Sequence, residues 1–131
     1  EFLEEVRAKL APDGVVVANI IGAAAGPDSR LFRSMLATYE AVFPQVYVFL
    51  VGARGSVTDR TLRNIILIAT LDDRRLEREE MEQRANRIHA SGGLVLDVRP
   101  YLSSLVEGEI PIGDVPLLTD DYAPVDSLQH F

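Results

Sequence analysis

An apolar run near the start of the chain, residues 15–21 (VVVANII), is the feature that most constrains the fold. The run is rich in β-branched residues and does not alternate with polar ones, a pattern typical of a strand buried on both faces of an α/β sheet. A second such run follows at residues 45–51 (QVYVFLV). Between them, apolar residues recur at helical spacing from Phe32 to Tyr39. This strand–helix–strand order with short joints predicts two parallel strands and a right-handed crossover.

A third apolar run, residues 64–70 (NIILIAT), changes the expected architecture. No helical pattern separates it from the second run, so these two strands are predicted to pair as an antiparallel hairpin. Charged residues crowd the stretch 71–90, which is typical of a surface helix that stops at the glycines 92 and 93. A further helix is expected at the start of the chain, and a short one within residues 97–106.

The predicted fold class is therefore α/β: a mixed sheet with one parallel strand pair and a terminal antiparallel hairpin, flanked by helices. The 131 residues suffice for one compact domain. The chain opens inside a helical pattern and without Met. We therefore expect residues 1–131 to form a single domain that is a fragment of a larger one.

Composition excludes several classes of function. The net charge of −7 and a pI near 4.7 argue against a nucleic-acid partner, whose phosphates would be repelled. No apolar run approaches the roughly 20 residues that span a bilayer. The chain has no cysteine, which removes disulfides and thiolate metal sites and fits a reducing compartment. The expected location is the cytoplasm, although the parent protein could be fused to a membrane domain.

The candidate site is the stretch 116–126 (PLLTDDYAPVD), where Asp120, Asp121 and Tyr122 follow an apolar approach. The two carboxylates could hold a substrate ammonium while the Tyr hydroxyl orients it. A carboxylate there could also accept the proton of an attacking amine. The alternative is a capped loop whose carboxylates bond backbone N–H groups. Neither His89 nor His130 stands in a metal-ligand spacing, and the serines lack a nucleophile-elbow context.

Two stretches resemble spermidine synthase-like proteins, the polyamine aminopropyltransferase family, which has the class I S-adenosylmethionine-dependent methyltransferase fold. The opening EFLEEVRAKLAPDGVVVANIIG resembles the helix and strand that follow the active-site loop in that family. LLTDDYAPVDSL resembles the C-terminal signature of its bacterial members. In that Rossmann-like fold the sheet ends with an antiparallel strand inserted beside the fifth. Residues 15–21, 45–51 and 64–70 then correspond to the fifth, sixth and seventh strands.

The resemblance implies polyamine biosynthesis: transfer of an aminopropyl or methyl group from decarboxylated S-adenosylmethionine or S-adenosylmethionine to a small cationic amine. It also implies that the glycine-rich cofactor loop and the catalytic Asp-rich loop precede Glu1. No catalytic, cofactor-binding or metal residue is then expected in this chain, which is predicted to be inactive alone. Asp120, Asp121 and Tyr122 are the expected substrate-binding residues.

Two other readings stay open. The chain could be a non-catalytic, methyltransferase-like domain used for structure or oligomerisation, or part of a methyltransferase of unrelated substrate class. In each case residues 15–21 would lack their neighbouring strand and leave an apolar edge. Such edges invite pairing with another chain, so we expect a two-fold homodimer, either across that edge or through the helix faces.

Overall fold

The computed structural model describes residues 1–119. Within them lie three helices and three strands, in the order α1 (Phe2–Lys9), β1 (Val15–Gly22), α2 (Arg30–Val42), β2 (Gln45–Leu50), β3 (Arg63–Thr70) and α3 (Arg78–Ser91). Two short 3₁₀ helices, Pro27–Ser29 and Arg99–Ser104, precede α2 and follow α3. The three predicted strands and the helix between the first two are confirmed within a residue or two.

Helix α2 shows how local chemistry sets an element's bounds. The 3₁₀ turn that begins at Pro27 leads directly into it, since proline is pre-organised for a first helical turn. The helix ends at Phe43, which adopts extended backbone (φ −106°, ψ 140°) because the following Pro44 disfavours helical geometry there. The Phe43 N–H still donates to the Tyr39 carbonyl at 2.8 Å.

The sheet has three strands in the order β1-β3-β2, and β3 is antiparallel to both neighbours. Thr70 of β3 faces Val15 on one side and Gln45 on the other. The predicted β2–β3 hairpin is confirmed. Strands β1 and β2 run in the same direction, but β3 lies between them, so the predicted parallel pair is not a hydrogen-bonded pair within residues 1–119.

Burial explains why β3 occupies the centre. Ile65, Leu67 and Ala69, on its inward face, are fully shielded from solvent. An edge position would leave part of this row in water, whereas the centre covers it from both sides and by α2.

Helix α2 packs across one face of the sheet and forms the core with it. Phe32 and Leu36 of α2 meet Leu50, Ile65 and Leu67 of the strands in a single apolar cluster. Helix α1 and Leu10, the residue after it, add partly buried side chains to this cluster: Leu3, Val6 and Leu10. The core therefore lies between the sheet and these two helices.

The two edges of the sheet differ. Along β2, the Val106 N–H donates to the Val48 carbonyl at 2.9 Å, and Arg75 Nη1 donates to the Val46 carbonyl at 2.9 Å. Arg78 of α3 holds this cover in place by donating from Nη2 to the Leu105 carbonyl at 3.1 Å. Along β1, no segment of residues 1–119 makes an equivalent cover.

The charged stretch 71–90 is helical only in part. Helix α3 begins at Arg78 because the residues before it are fixed to β2 instead: the Leu76 N–H donates to the Tyr47 hydroxyl at 2.8 Å. It ends at Gly92 in the left-handed conformation (φ 68°), as the glycine pair predicted. Within residues 1–119, every helix falls short of the length and apolar character needed to cross a membrane.

Candidate functional site

A crevice of about 620 Å³ lies where β1 and β2 both end, after Gly22 and Leu50. The segments that follow β1 and β2 meet at this crevice, which makes it the candidate site. Its walls come from the turn after β1, the start of α2, the loop between β2 and β3, and a later segment: Ala24, Ala25, Gly26, Ser29, Arg33, Val57, Pro111, Gly113 and Asp114.

The turn after β1 is held by its own hydrogen bonds. The buried Ser29 hydroxyl donates to the Gly26 carbonyl at 2.6 Å, and the Ala23 N–H donates to the Asp28 carbonyl at 3.2 Å. Gly26 has φ 83°, a conformation that other residues rarely adopt. These bonds fix the floor of the crevice without a ligand.

Arg33 joins three parts of the wall. Its Nε donates to the Ser29 hydroxyl at 3.0 Å, its Nη1 donates to the Pro111 carbonyl at 3.1 Å, and the same nitrogen pairs with the Asp114 carboxylate. The hydrogen bond from Arg33 lowers the pKa of Asp114, and the charge of Arg30 contributes in the same direction. Arg33 therefore fixes the segment around Pro111 on the start of α2.

Asp59 joins the two loops at this edge of the sheet. Its carbonyl accepts from the Ala25 N–H at 2.9 Å, which ties the β2–β3 loop to the turn after β1. Its carboxylate accepts from the Thr61 N–H and from Arg63 Nε, each at 2.9 Å. The Thr61 backbone hydrogen bond is the main cause that lowers the pKa of Asp59, and Arg63 adds to it.

These pairings decide what the crevice can do chemically. A carboxylate with a lowered pKa that already accepts from an arginine is a weak general base at neutral pH. Asp59 and Asp114 are both of this kind. The described part of the crevice is a hydrogen-bonded frame, in which Asp114 on the wall and Asp59 in the adjoining loop serve to hold segments together.

Arg54 and Arg60 of the β2–β3 loop and Arg63, which begins β3, do not form one basic patch. Arg63 is engaged with Asp59, whereas the guanidinium of Arg60 lies against Gly26, with its Cζ 3.0 Å from where a Cβ would stand. Arg54 lies instead at a second, mostly apolar cleft of about 720 Å³ on the outer face of the sheet, beside Phe49 and Tyr101.

The predicted substrate residues Asp120, Asp121 and Tyr122 lie outside the described residues. Their approach is described as far as Thr119. The Leu118 N–H donates to the Thr38 hydroxyl at 2.8 Å, and residues 117–119 line a groove of about 460 Å³ with α1 and α2. Residues 111–118 thus run along α2 from Arg33, at the crevice, to Thr38, in the second half of the helix.

The other sequence candidates are placed as follows. His89 Nδ1 lies 3.9 Å from the carboxylate of Asp97 near the end of α3, and His130 is outside the described residues. Within residues 1–119, no group of three or more His, Cys, Asp and Glu side chains is arranged to hold a metal ion. Ser104 donates its hydroxyl to the Ala53 carbonyl at 2.8 Å, a structural use.

Sequence reasoning missed the role of Arg33. One signal was present, because Ser29 and Arg33 are four residues apart at the start of a helix and therefore lie on one face. The partners Pro111 and Asp114 are far away in sequence and gave no local signal. The frame of the crevice depends on these long-range contacts.

Comparison with known proteins finds no match: no family model, no curated protein and no solved structure is similar to the chain. The functional case depends on the residues and on the fold alone.

Proposed function

We propose that the chain belongs to the class of Rossmann-like S-adenosylmethionine-dependent transferases, as the C-terminal part of such a domain. Within this class we propose a spermidine synthase-like protein, which moves an aminopropyl or methyl group to a small amine. A cytoplasmic location accompanies this proposal, supported by the cysteine-free composition.

The sheet order carries the proposal. In the methyltransferase fold the final antiparallel strand is inserted beside the fifth strand. Here β3 is antiparallel and lies beside β1, the strand that the resemblance equates with the fifth. The sequence pattern alone had suggested only a hairpin with β2, so this contact is an independent point of agreement with the proposed fold.

The roles in the proposed reaction follow from charge. Asp120 and Asp121 hold the ammonium groups of the acceptor amine, and Tyr122 orients it by a hydrogen bond. One carboxylate receives the proton that the reacting nitrogen of the amine must lose. The signature LLTDDYAPVDSL, residues 117–128, supports this assignment.

The described residues do not fit the donor, S-adenosylmethionine or its decarboxylated form. A nucleoside cradle needs glycines whose open side faces the ligand. An added Cβ at Gly22 would stand 3.3 Å from Phe32 Cβ, and the space at Gly26 is filled by the Arg60 guanidinium. Both glycines serve packing, so we assign no donor contact to this chain and route no step through the donor.

A second candidate is a non-catalytic, methyltransferase-like structural domain. The observation in its favour is that Asp114, which lines the crevice, and Asp59, which joins the loops beside it, are both engaged by arginines. On this alternative, residues 120–122 close the domain and bind no amine.

The sequence encoded upstream of Glu1 and an amine titration separate the two candidates. A strand with a glycine-rich loop, followed by an Asp-rich loop, supports the transferase, and the absence of both overturns it. In the longer protein, Asp120→Asn or Asp121→Asn should raise the KM for the amine about 10- to 100-fold, since a hydrogen bond to a charged group contributes roughly 1.5–3 kcal/mol. Asp126→Asn, in the same loop, is the matched control.

For this chain alone, calorimetry with S-adenosylmethionine and with its decarboxylated form should detect no tight binding. A dissociation constant below the micromolar range would show that the assignment of β1 to the fifth strand is wrong. If neither the longer protein nor any of its variants shows an activity that depends on the amine concentration, the structural domain is favoured instead.

A further inference from the structure

Residues 113–118, which we call the strap, lie on α2 and are weakly attached to it. The chain just before them is held in the core, where Ile110 is buried and Ile112 packs against the same apolar cluster. No strap residue is buried or belongs to that cluster. In the described part of the chain, the strap has one backbone hydrogen bond to another element, from the Leu118 N–H to the Thr38 hydroxyl at 2.8 Å.

The other attachment of the strap is the ion pair between the Asp114 carboxylate and Arg33. The Asp114 side chain is 65% exposed, and ion pairs of this kind contribute little to stability, because water and salt screen them. Arg33 also donates to the Ser29 hydroxyl and to the Pro111 carbonyl. It therefore keeps partners in the fold when its pair with Asp114 is broken.

The docked strap covers a polar group that has no partner. Ser34 is fully shielded from solvent, and in the described part of the chain its hydroxyl has no hydrogen-bond partner. On α2 it lies about 200° around the helix from Phe32, which packs against the sheet, so the sheet does not cover it. The strap crosses that side of the helix, because its anchors Arg33 and Thr38 lie on either side of Ser34.

Burial of the Ser34 hydroxyl destabilises the docked state, since water would bond to this group once the strap is lifted. The strap buries little apolar surface in return. Leu117 is 51% exposed, and the side chains on that side of the helix, Ser34 and Ala37, are small. Weak attachment and a buried group without a partner are typical of a segment of low local stability.

We propose that the strap undocks from α2 as a unit by turning about Gly113, while the chain as far as Ile112 stays folded, and that the buried Ser34 hydroxyl favours this undocking. Gly113 suits a hinge, because an added Cβ there meets nothing within 4 Å. The proposal concerns the fold of this chain and does not depend on the transferase reaction. Where the proposed function holds, the strap is also the attachment of the predicted substrate residues, which begin at Asp120.

The first test is hydrogen exchange of the whole chain under native conditions. The Leu118 amide should be protected by Thr38, yet it should exchange about 100-fold or more faster than the Val106 amide, since local opening is easier than global unfolding. Low concentrations of urea should leave the Leu118 rate unchanged, because undocking exposes little surface. Equal rates with the same urea dependence, or no protection of Leu118, overturn the proposal.

A variant tests the part played by the buried hydroxyl. Ser34→Ala removes the group without a partner and should slow exchange at Leu118 about 5-fold or more. Ser103→Ala, at an exposed serine outside the strap, is the matched control and should leave the Leu118 rate unchanged. An unchanged Leu118 rate in Ser34→Ala overturns the role assigned to this hydroxyl.

A further test uses the absence of cysteine in the chain. Ser34→Cys places a thiol, which tolerates burial without a partner, beneath the strap, and Ala69→Cys places one in the core. A thiol reagent should modify Ser34→Cys about 100-fold or more faster, because only Ala69→Cys requires global unfolding. Adding Asp114→Asn should raise the Ser34→Cys rate about 2- to 5-fold, since it removes the exposed ion pair. Equal rates at the two thiols, in variants that circular dichroism shows to be folded, overturn the proposal.

Discussion

The two edge strands of the sheet, β1 and β2, pair with the same central strand but have opposite surroundings. In β2, Val46, Val48 and Leu50 are buried against α2, and its free edge is closed by residues 105–106. In β1, Val15, Val17 and Ile21 stand in solvent, and the edge is open within residues 1–119. Burial on two faces and along an edge gives stability, whereas an open strand of the same apolar character provides surface for contact.

The largest expected contrast is between matched truncations near the ends of the two strands. Leu50→Ala, on β2, removes a fully buried side chain and should lower the free energy of unfolding by about 2–5 kcal/mol. Ile21→Ala, on β1, should change it by about 0.5 kcal/mol or less at dilute concentration, because that side chain is largely exposed. Urea unfolding measures both values.

Equal losses for the two variants would show that β1 is as deeply packed as β2. A cost of Ile21→Ala that grows with protein concentration would show that β1 also contacts another chain, since a mutation at an interface between chains acts through association.

A smaller effect is expected at the cover of the β2 edge. A Cβ added at Gly55 would stand 2.0 Å from the Leu105 carbonyl oxygen, so Gly55→Ala must displace the segment that closes β2. Overpacking of this kind costs about 1–3 kcal/mol. Hydrogen exchange should show faster loss of the Val106 amide proton, which is bonded to the Val48 carbonyl.

Gly113→Ala is the matched control, because an added Cβ there meets nothing within 4 Å and the backbone is ordinary. If Gly55→Ala leaves the Val106 amide protected, the cover of β2 does not depend on this close approach.

The smallest expected effect concerns pH and Asp59, which ties together the loops at the ends of β1 and β2. The folded pKa of Asp59 is lowered, chiefly by the Thr61 N–H. Its ionised form therefore stabilises the fold above the ordinary Asp pKa of about 3.9, and this contribution is lost as pH falls from there through the lower folded pKa. In Asp59→Asn that part of the acid-side decline in stability should be absent.

Arg63→Gln should remove a smaller share of this decline than Asp59→Asn, because the Thr61 hydrogen bond remains. Chemical denaturation at a series of acidic pH values measures the effect. Identical pH dependence in Asp59→Asn and the wild type would mean that Asp59 does not stabilise the fold through its charge.

Local chemistry made part of the fold predictable. The apolar runs were long, rich in β-branched residues and bounded by Pro44, Gly14 and Gly52, so the strands and α2 could be placed from sequence. The hairpin followed because no helix separates its strands. The position of β3 between β1 and β2 could not be derived in this way, since β1 and β3 pair across the whole of α2 and β2.

The site was less predictable than the fold. The crevice depends on contacts such as Arg33 with Asp114 and Asp59 with the turn after β1, which join residues far apart in sequence. The expected start of α3 was early because residues 74–76 look helical yet bind β2 through Arg75 and Leu76. The substrate assignment of Asp120, Asp121 and Tyr122 stays a prediction.

The position of β3 also sets the order in which the strands can pair while the chain is being synthesised. Strand β3 is the third strand in the chain but the middle one in the sheet. Val15 therefore cannot pair with Thr70 until the chain has been made as far as Thr70. On a ribosome, β1 and β2 therefore both emerge before the strand that pairs with them exists. The local β2–β3 hairpin can close first, and β1 adds afterwards across a much longer loop, which is the slower step. Until then the edge of β1 that pairs with β3 has no partner strand.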